Sequence, residues 1–383
     1  YWITWDGDPA FISSRPHPLG LLVEHRGMAW NYPAGNEDIL YFTITYYNVT
    51  SLNAADYAEH RPAMRDLLIQ KAQDFHALNN ARFGITLPTD GYTINELYAA
   101  FAADPDVGSA GANYSSVNLP FSMGYAYQNN FARLASWVFD PAIFSAPFFA
   151  GVGFVGVKYL KGPDGPGEIN LFSNTCNGVP GCPADPNNTT RLWRYLSGKL
   201  DVNQGDVVCG IAGDPAVTRL CFIRRGTASD VRFFQSSTAQ TLEPGKAASI
   251  VVAFVHAAPV AIPGFAPTST SNIDPGEAIW ISSVDSMTKY GGVTKVDSIT
   301  GYLSYSDING DNIPQQGEFR VRPGSLLGKG LVAQQVCDNK FLLPVSPEPP
   351  EFFLIPGDQQ VTVLWKPSVS ETTGDPYFAV AGA

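Results

Sequence analysis

Charged residues are scarce in this sequence. They make up 15% of its 383 residues, whereas about 25% is usual for soluble chains. Basic residues are outnumbered, since 24 Lys and Arg face 35 Asp and Glu, which gives a net charge of −11. This balance offers no cationic surface to a phosphate backbone, so nucleic acid is excluded as an expected partner. Hydrophobic residues reach 45% and aromatic residues 12%, which predicts a folded core rather than a disordered chain.

Clean apolar runs of membrane-spanning length are also missing. The two most apolar stretches, 144–160 and 247–263, are interrupted by Pro147, Lys158 and Pro259. A transmembrane helix needs about 20 apolar residues in a row, so we expect no membrane span and interpret both stretches as buried strands. The first eight residues are aromatic and acidic rather than signal-peptide-like, which predicts a processed start or a piece of a longer product.

Cysteine is rare, with five residues in the chain. Four of them form two close pairs, Cys176 with Cys182 and Cys209 with Cys221. We predict a disulfide in each pair, and therefore an oxidising compartment, with buried free thiols as the alternative. A zinc site is disfavoured because no C-x-x-C spacing occurs and no histidine is near these cysteines in sequence. Cys337 is left over and is expected to be a buried thiol rather than a nucleophile.

Apolar periodicity predicts a mainly β fold. Residues 39–47 alternate between two faces, as a half-buried strand does. Residues 62–80 repeat apolar positions at three and four, which predicts an amphipathic helix. A second helix is predicted over 93–103, where Thr93 and Glu96 form a capping box. Helical periodicity then disappears, and short apolar runs separated by turns predict antiparallel β-sandwich modules with this two-helix insertion near residues 62–103.

Two strands stand out in the later part of the chain. Val231 to Gln235 and Ser249 to Ala257 are predicted to be strands, and the turn Leu242 to Gly245 lies between them. The second strand is apolar on both faces, which predicts a central position in its sheet.

Two breaks in composition divide the chain into modules. Residues 263–272 and the Pro-rich residues 344–350 have the composition of linkers. The expected domains are a large β-sandwich domain with the helical insertion at 1–262, a smaller β-rich module at 263–345, and a partial module at 346–383.

One acidic loop has the spacing of a calcium site. Its twelve residues, 307–318, are predicted to supply oxygen ligands from six positions, namely Asp307, Asn309, Asp311, the Ile313 carbonyl, Gln315 and Glu318. The loop resembles the calcium loops of EF-hand and dockerin-type modules. Two residues depart from that pattern, Asn312 at the usual glycine and Pro314 at the usual apolar position. Because both flanks have an extended pattern, we expect a structural Ca²⁺ loop without the helix-loop-helix fold, and a metal-free acidic turn is the alternative.

The C-terminal segment resembles the opening of a fibronectin type III domain. Residues 350–367 combine a proline lead-in, an apolar strand, a P-G-D turn and the sequence V-T-V-L-W, in which the resemblance makes Trp365 the core tryptophan. The likeness covers about 347–383, and a whole domain of this type needs about 90 to 100 residues. The L-x-P-G turn at Leu242 to Gly245 gives the rest of the chain a looser similarity to β-rich ectodomains of secreted bacterial surface proteins, and this similarity implies no activity.

The sequence contains short matches to enzyme motifs, but the residues around each match do not fit the structure that the motif requires. Residues 151–156 read G-x-G-x-x-G, but no helix start follows, so the glycines are interpreted as sites of close backbone approach in a strand. Ser286 to Lys289 match S-x-x-K without a K-T-G partner. A glycosidase pair of carboxylates is a weaker alternative, and its candidates lie among N-terminal aromatics at Asp6, Asp8, Glu24, Glu37 and Asp38. No catalytic residue is therefore assigned.

These observations predict a secreted or cell-surface, non-catalytic protein with a structural or adhesive role. Self-assembly into a filament or surface array belongs to this hypothesis, because incomplete terminal strands leave an open edge. The alternatives are a carbohydrate-binding or carbohydrate-hydrolysing extracellular protein and an accessory subunit of an envelope complex. The corresponding partners are further copies of the chain, other surface proteins or glycans.

Overall fold

The structure is a computed structural model of the chain. It describes residues 1–4, 19–31, 35–107, 111, 113–118, 120–128, 154–163, 165–166, 171–176, 185–186, 188–199, 201–204, 220–221, 229–257, 301–311, 315–341 and 350–367.

The described part of the chain is mainly β, as the sequence predicts. Its strands are Trp2–Ile3 (β1), Leu21–Ala29 (β2), Ile39–Asn48 (β3), Ile94–Leu97 (β4), Ala100–Ala103 (β5), Asn113–Asn118 (β6), Met123–Gln128 (β7), Phe154–Gly162 (β8), Gly165–Pro166 (β9), Leu171–Cys176 (β10), Leu220–Cys221 (β11), Val231–Ser236 (β12), Gln240–Leu242 (β13), Ala247–Ala257 (β14), Tyr302–Tyr305 (β15), Phe319–Val321 (β16), Phe352–Gly357 (β17) and Gln360–Trp365 (β18). Three α-helices accompany them, Pro62–Phe83 (α1), Thr189–Ser197 (α2) and Leu326–Asp338 (α3). No described helix is long and apolar enough to cross a membrane.

The largest sheet is antiparallel and has the order β1-β2-β3-β14-β8-β7-β6, with β9 paired to β8. The predicted central strand is confirmed, because β14 lies between β3 and β8. Val252 and Val255 point to opposite faces of β14 and are both fully buried. A strand covered on both faces has an apolar sequence throughout, which is the pattern seen at 247–257.

A second sheet, with the order β11-β10-β12-β5, packs against one face of the first. Phe233 of the second sheet and Tyr159 of the first belong to one buried cluster. The layers also share hydrogen bonds, since Gln235 Nε2 donates to the Val157 carbonyl over 3.0 Å. This packing of sheet on sheet fits the predicted sandwich arrangement.

Helix α3 and strands β15 and β16 cover the other face of the large sheet. Gly156 in β8 makes the close approach of α3 possible, because a Cβ at this position would lie 2.8 Å from Leu326 Cδ1. The sequence prediction of close backbone approach at residues 151–156 stays a prediction, because Gly151 and Gly153 lie outside the described residues and Gly156 faces side-chain atoms. The predicted domain boundaries stay predictions, although Tyr302 and Phe319 share this core with strands β3, β7, β8 and β14.

The first predicted helix is confirmed as α1. Pro62 occupies its first turn, and Gly84 ends it in a left-handed conformation at φ 64°. Leu68, Ala72 and Phe75 form its buried face. These side chains pack with Leu22, Tyr47 and Val49 at one end of the large sheet.

The second predicted helix, over 93–103, is wrong. These residues form β4 and β5, which pair with β13 and β12 respectively. Glu96 has φ 53°, which breaks the helical geometry that its capping box would start. The local apolar stripe was therefore overridden by pairing with distant strands, as often happens with short segments of ambiguous periodicity.

Two helices lie where the sequence pattern indicated none. Asn188 caps α2 by accepting a 2.8 Å hydrogen bond from the Arg191 N–H, and Ser325 caps α3 by accepting one of 3.1 Å from Gly328.

The two strands predicted around the Leu242 to Gly245 turn both form, but they belong to different sheets, β12 to the smaller and β14 to the larger.

Candidate functional site

The acidic loop predicted to bind calcium connects β15 and β16. Both flanks are extended, as expected, and Tyr305 pairs with Phe319 where the loop begins and ends. The structure describes 307–311 and 315–318, so Ile313 lies outside the described residues together with Asn312 and Pro314.

Hydrogen bonds shape the start of the loop into a tight polar turn. The Gly310 N–H donates to Asp307 Oδ1 over 2.8 Å, and the Asp311 N–H donates to Asn309 Oδ1 over 3.0 Å. Gln315 Nε2 donates to Asp311 Oδ2 over 2.8 Å, which joins the two described ends of the loop. The loop thus places carboxylate and amide oxygens, the ligands that Ca²⁺ prefers, on one exposed turn.

Glu318 closes the loop from its far end. Its carboxylate accepts hydrogen bonds from the N–H groups of Ile308 at 2.9 Å and Gln315 at 3.0 Å, and from the Tyr305 hydroxyl at 3.3 Å. Burial by itself raises the pKa of Glu318, but these backbone donors outweigh it and hold the pKa below its usual value. The carboxylate is therefore ionised at neutral pH, next to the turn that carries Asp307 and Asp311.

A buried lysine fastens this loop to the large sheet. Lys158 in β8 is 1% exposed, and its Nζ donates to the Phe121 carbonyl over 2.6 Å and to Gln316 Oε1 over 2.7 Å. Burial lowers the pKa of Lys158 to about 7, although Asp338 and Cys337 act in the opposite direction. In the sequence, Lys158 is only an interruption in an apolar stretch, so the pattern does not predict this contact.

The structure also contains a second cluster of acidic residues that the sequence pattern does not predict. Carboxylate oxygens of Asp104, Asp106 and Asp230 lie within 4.8 Å of one another. Burial and the two neighbouring carboxylates raise the pKa of Asp106. Arg232 pairs with Asp104 at 2.9 Å and with Asp230 at 3.2 Å, so much of the negative charge is already balanced by the protein. The trio is assembled by the segment after β5 and the residue before β12, which are distant in sequence.

Glu24 and Asp38, two of the carboxylates suggested for a glycosidase, lie too far apart to form a catalytic pair. Glu24 lies opposite Thr45 in the β2–β3 pairing, whereas Asp38 precedes the far end of β3. Seven residues of strand separate the two positions by about 20 Å or more, and glycosidase carboxylates lie roughly 5 to 10 Å apart. Asp6 and Asp8 lie outside the described residues.

Glu24 and Glu37 are occupied with structural hydrogen bonds instead. Glu24 accepts from the hydroxyls of Tyr1 at 2.9 Å and Tyr47 at 3.0 Å, and from Arg26 Nε at 2.9 Å. Burial raises its pKa, but these donors outweigh the effect and the pKa is lowered. Glu37 accepts from the Gly35 N–H over 2.6 Å.

The predicted disulfides stay predictions, since Cys182 and Cys209 lie outside the described residues. The backbone nonetheless disfavours a bond between Cys176 and Cys221. Cys221 lies opposite Ser173 on the adjacent strand, three residues from Cys176, which puts the two Cα atoms roughly 10 Å apart. Disulfides require Cα atoms closer than about 7 Å.

Cys337 is a free thiol, and burial raises its pKa to about 11.

The C-terminal segment forms a hairpin of β17 and β18, and its resemblance to a fibronectin type III domain stays a prediction. Phe352 pairs with Trp365 at its open end, and Gly357 pairs with Gln360 at its turn. Every residue from 351 to 367 is exposed, and Trp365 is 70% exposed. Within the described part of the chain, no core forms around this tryptophan.

No protein-family model and no curated protein matches the chain.

Proposed function

We propose that this protein is a non-catalytic structural or adhesive protein of the cell exterior that works by assembling with other chains. The observation that carries the proposal is the exposed hairpin of β17 and β18. Its large apolar side chains are each about half exposed or more, from Val363 at 46% to Trp365 at 70%. Soluble monomers rarely expose such a continuous apolar surface, and assembly is a common reason for one.

The described charged groups support a structural role. Several described acidic residues form ion pairs with lysine that join distant parts of the chain. Lys246 pairs with Glu59 at 2.7 Å between the turn before β14 and the segment before α1. Lys329 of α3 pairs with Asp38 beside β3. These contacts fasten elements to the large sheet.

We propose in addition that the loop 307–318 binds Ca²⁺ as a structural ion. Asp307, Asn309 and Asp311 would supply side-chain oxygens from one turn, and Glu318 would supply carboxylate charge at the other end. The Gln316 contact with Lys158 would transmit the ordering of the loop to β8. A bound cation in this position would stabilise the fold by linking β15 and β16 to the core.

Surface labelling followed by crosslinking tests the main proposal. In cells that produce the protein, a membrane-impermeant biotin reagent should label it on intact cells. An amine crosslinker should then recover the labelled protein in species larger than the monomer. Protein that is protected on intact cells and is recovered only as a monomer would contradict the proposal. Recovery in a fixed complex with other proteins would favour the accessory-subunit alternative.

A further inference from the structure

The two faces of the C-terminal hairpin differ in composition. Cross-strand partners share a face and successive residues alternate, so the pairing of Phe352 with Trp365 assigns every side chain. One face, called here the apolar face, consists only of apolar side chains, which are Phe352, Leu354, Pro356, Val361, Val363 and Trp365. The opposite face mixes apolar with polar and small residues, which are Phe353, Ile355, Gly357, Gln360, Thr362 and Leu364.

The opposite face is also partly covered by charge. Lys366 Nζ lies 5.6 Å from the centre of the Phe353 ring and 3.6 Å from a Glu351 carboxylate oxygen. A lysine over an aromatic ring gives that face a hydrated edge. The apolar face therefore has the stronger tendency to leave water.

We infer that the apolar face docks onto the same face of a second copy of this chain, a contact that rests on the function proposed above. A two-fold contact places a patch against itself, so the patch must be self-complementary. An uncharged face of aliphatic and aromatic groups meets this condition because it brings no like charges together. Its two strands form an open ribbon that a second ribbon covers as in a sandwich of two sheets.

The area of the apolar face matches a reversible dimer. Exposed fractions of 46% to 70% correspond to roughly 600 Å² of apolar surface per copy, or about 1,200 Å² for the pair. Specific interfaces bury at least about 1,200 Å² of surface in total, and smaller interfaces are transient. The expected dimer is therefore concentration-dependent rather than permanent.

Sedimentation velocity of the full chain over a range of concentrations tests the inference. The wild type should shift from monomer to dimer as its concentration rises. Val363→Glu, which puts a charge on the apolar face, should raise the dissociation constant at least tenfold. Leu364→Glu is the matched control, since it places the same charge one residue away on the opposite face and should dimerise like the wild type.

Val361→Glu is a second variant of the apolar face and should act like Val363→Glu. The hairpin is exposed all round, so at a concentration where the wild type is monomeric, circular dichroism and the melting temperature should not change in any variant. A wild type that stays monomeric at every concentration overturns the inference. Equal weakening by Val363→Glu and Leu364→Glu also overturns it, as does a fall in melting temperature specific to the apolar face, which would mean that the same chain covers it.

The two proposals fail in different ways. A monomeric wild type that still crosslinks to another protein on cells refutes the second copy as partner and leaves the structural role intact. Absence of both dimer and crosslinked species refutes both.

Discussion

The Lys158 ammonium group donates a 2.7 Å hydrogen bond to the side-chain oxygen of Gln316, a residue 158 positions later in the chain. This contact joins strand β8 of the large sheet to the loop that carries Asp307, Asp311 and Glu318. Its second acceptor is the Phe121 carbonyl. The loop is therefore fixed to the core of the large sheet through one buried side chain.

Replacement of Lys158 by methionine should remove a pH dependence of stability. The pKa of Lys158 is lowered to about 7 in the folded chain from 10.5. Between these values the unfolded chain binds one more proton than the folded chain, so the free energy of unfolding rises with pH. Between pH 7.5 and 9, the wild type should gain about 1.4 kcal/mol per pH unit relative to Lys158→Met, measured by urea denaturation.

Lys161→Met is the matched control for this measurement. Lys161 lies on the same strand but is exposed, so its replacement should leave the wild-type pH slope in place. Parallel stability curves for wild type and Lys158→Met would show that Lys158 is charged in the folded protein at all these pH values.

Calcium should raise the melting temperature of the wild type, and a chelator should reverse the effect. An ion present at 100 times its dissociation constant stabilises by about 2.7 kcal/mol. The double variant Asp307→Ala, Asp311→Ala should melt at the same temperature with and without Ca²⁺. Asp66→Ala, which changes an exposed carboxylate on α1, should keep the calcium response. A wild type that melts identically in Ca²⁺ and chelator would refute the ion site.

Thiol labelling should find one free cysteine, and only after unfolding. Burial raises the pKa of Cys337 to about 11, so the native protein should resist iodoacetamide at pH 8. Unfolding without reductant should expose that single thiol if Cys176–Cys182 and Cys209–Cys221 are bonded. Peptide mass spectrometry identifies the pairs, and five labelled cysteines under these conditions would contradict the predicted disulfides.

Two glycines with positive φ should differ sharply in their tolerance of alanine. Gly84 has φ 64° and open space where a Cβ would lie, so Gly84→Ala should cost only the left-handed conformation, about 1–2 kcal/mol. Gly245 has φ 78°, and a Cβ there would lie 2.2 Å from the Asp56 carbonyl oxygen. Gly245→Ala should therefore cost roughly 3–5 kcal/mol in the free energy of unfolding. Equal costs would mean that the Gly245 turn does not pack against Asp56.

Local sequence pattern was sufficient to predict those helices and strands that bury one of their own faces in the core. Helix α1 has Leu68, Ala72 and Phe75 on one side and a proline in its first turn, and both signals act within a few residues. The apolar run of β14 similarly indicated a strand covered on both sides. The mainly β class follows from such segments.

Local sequence pattern was insufficient to predict the segments whose structure depends on contacts with residues distant in sequence. Residues 94–103 have a helical stripe, yet β12 and β13 pair with them as strands. Helix α3 buries Leu326, Leu327 and Ala333, but its polar residues are spread around the helix, so it lacks a simple amphipathic period. The Lys158 contact with Gln316 and the Asp104, Asp106 and Asp230 trio exist only after folding, so spacing in sequence could not reveal them.

Hydrogen–deuterium exchange of the full chain at two concentrations tests most directly whether assembly covers the C-terminal hairpin. We expect exchange in residues 350–367 to slow as concentration rises, while exchange in the reference helix α1 should not change. Exchange in the hairpin that is independent of concentration, up to the solubility limit, would contradict it.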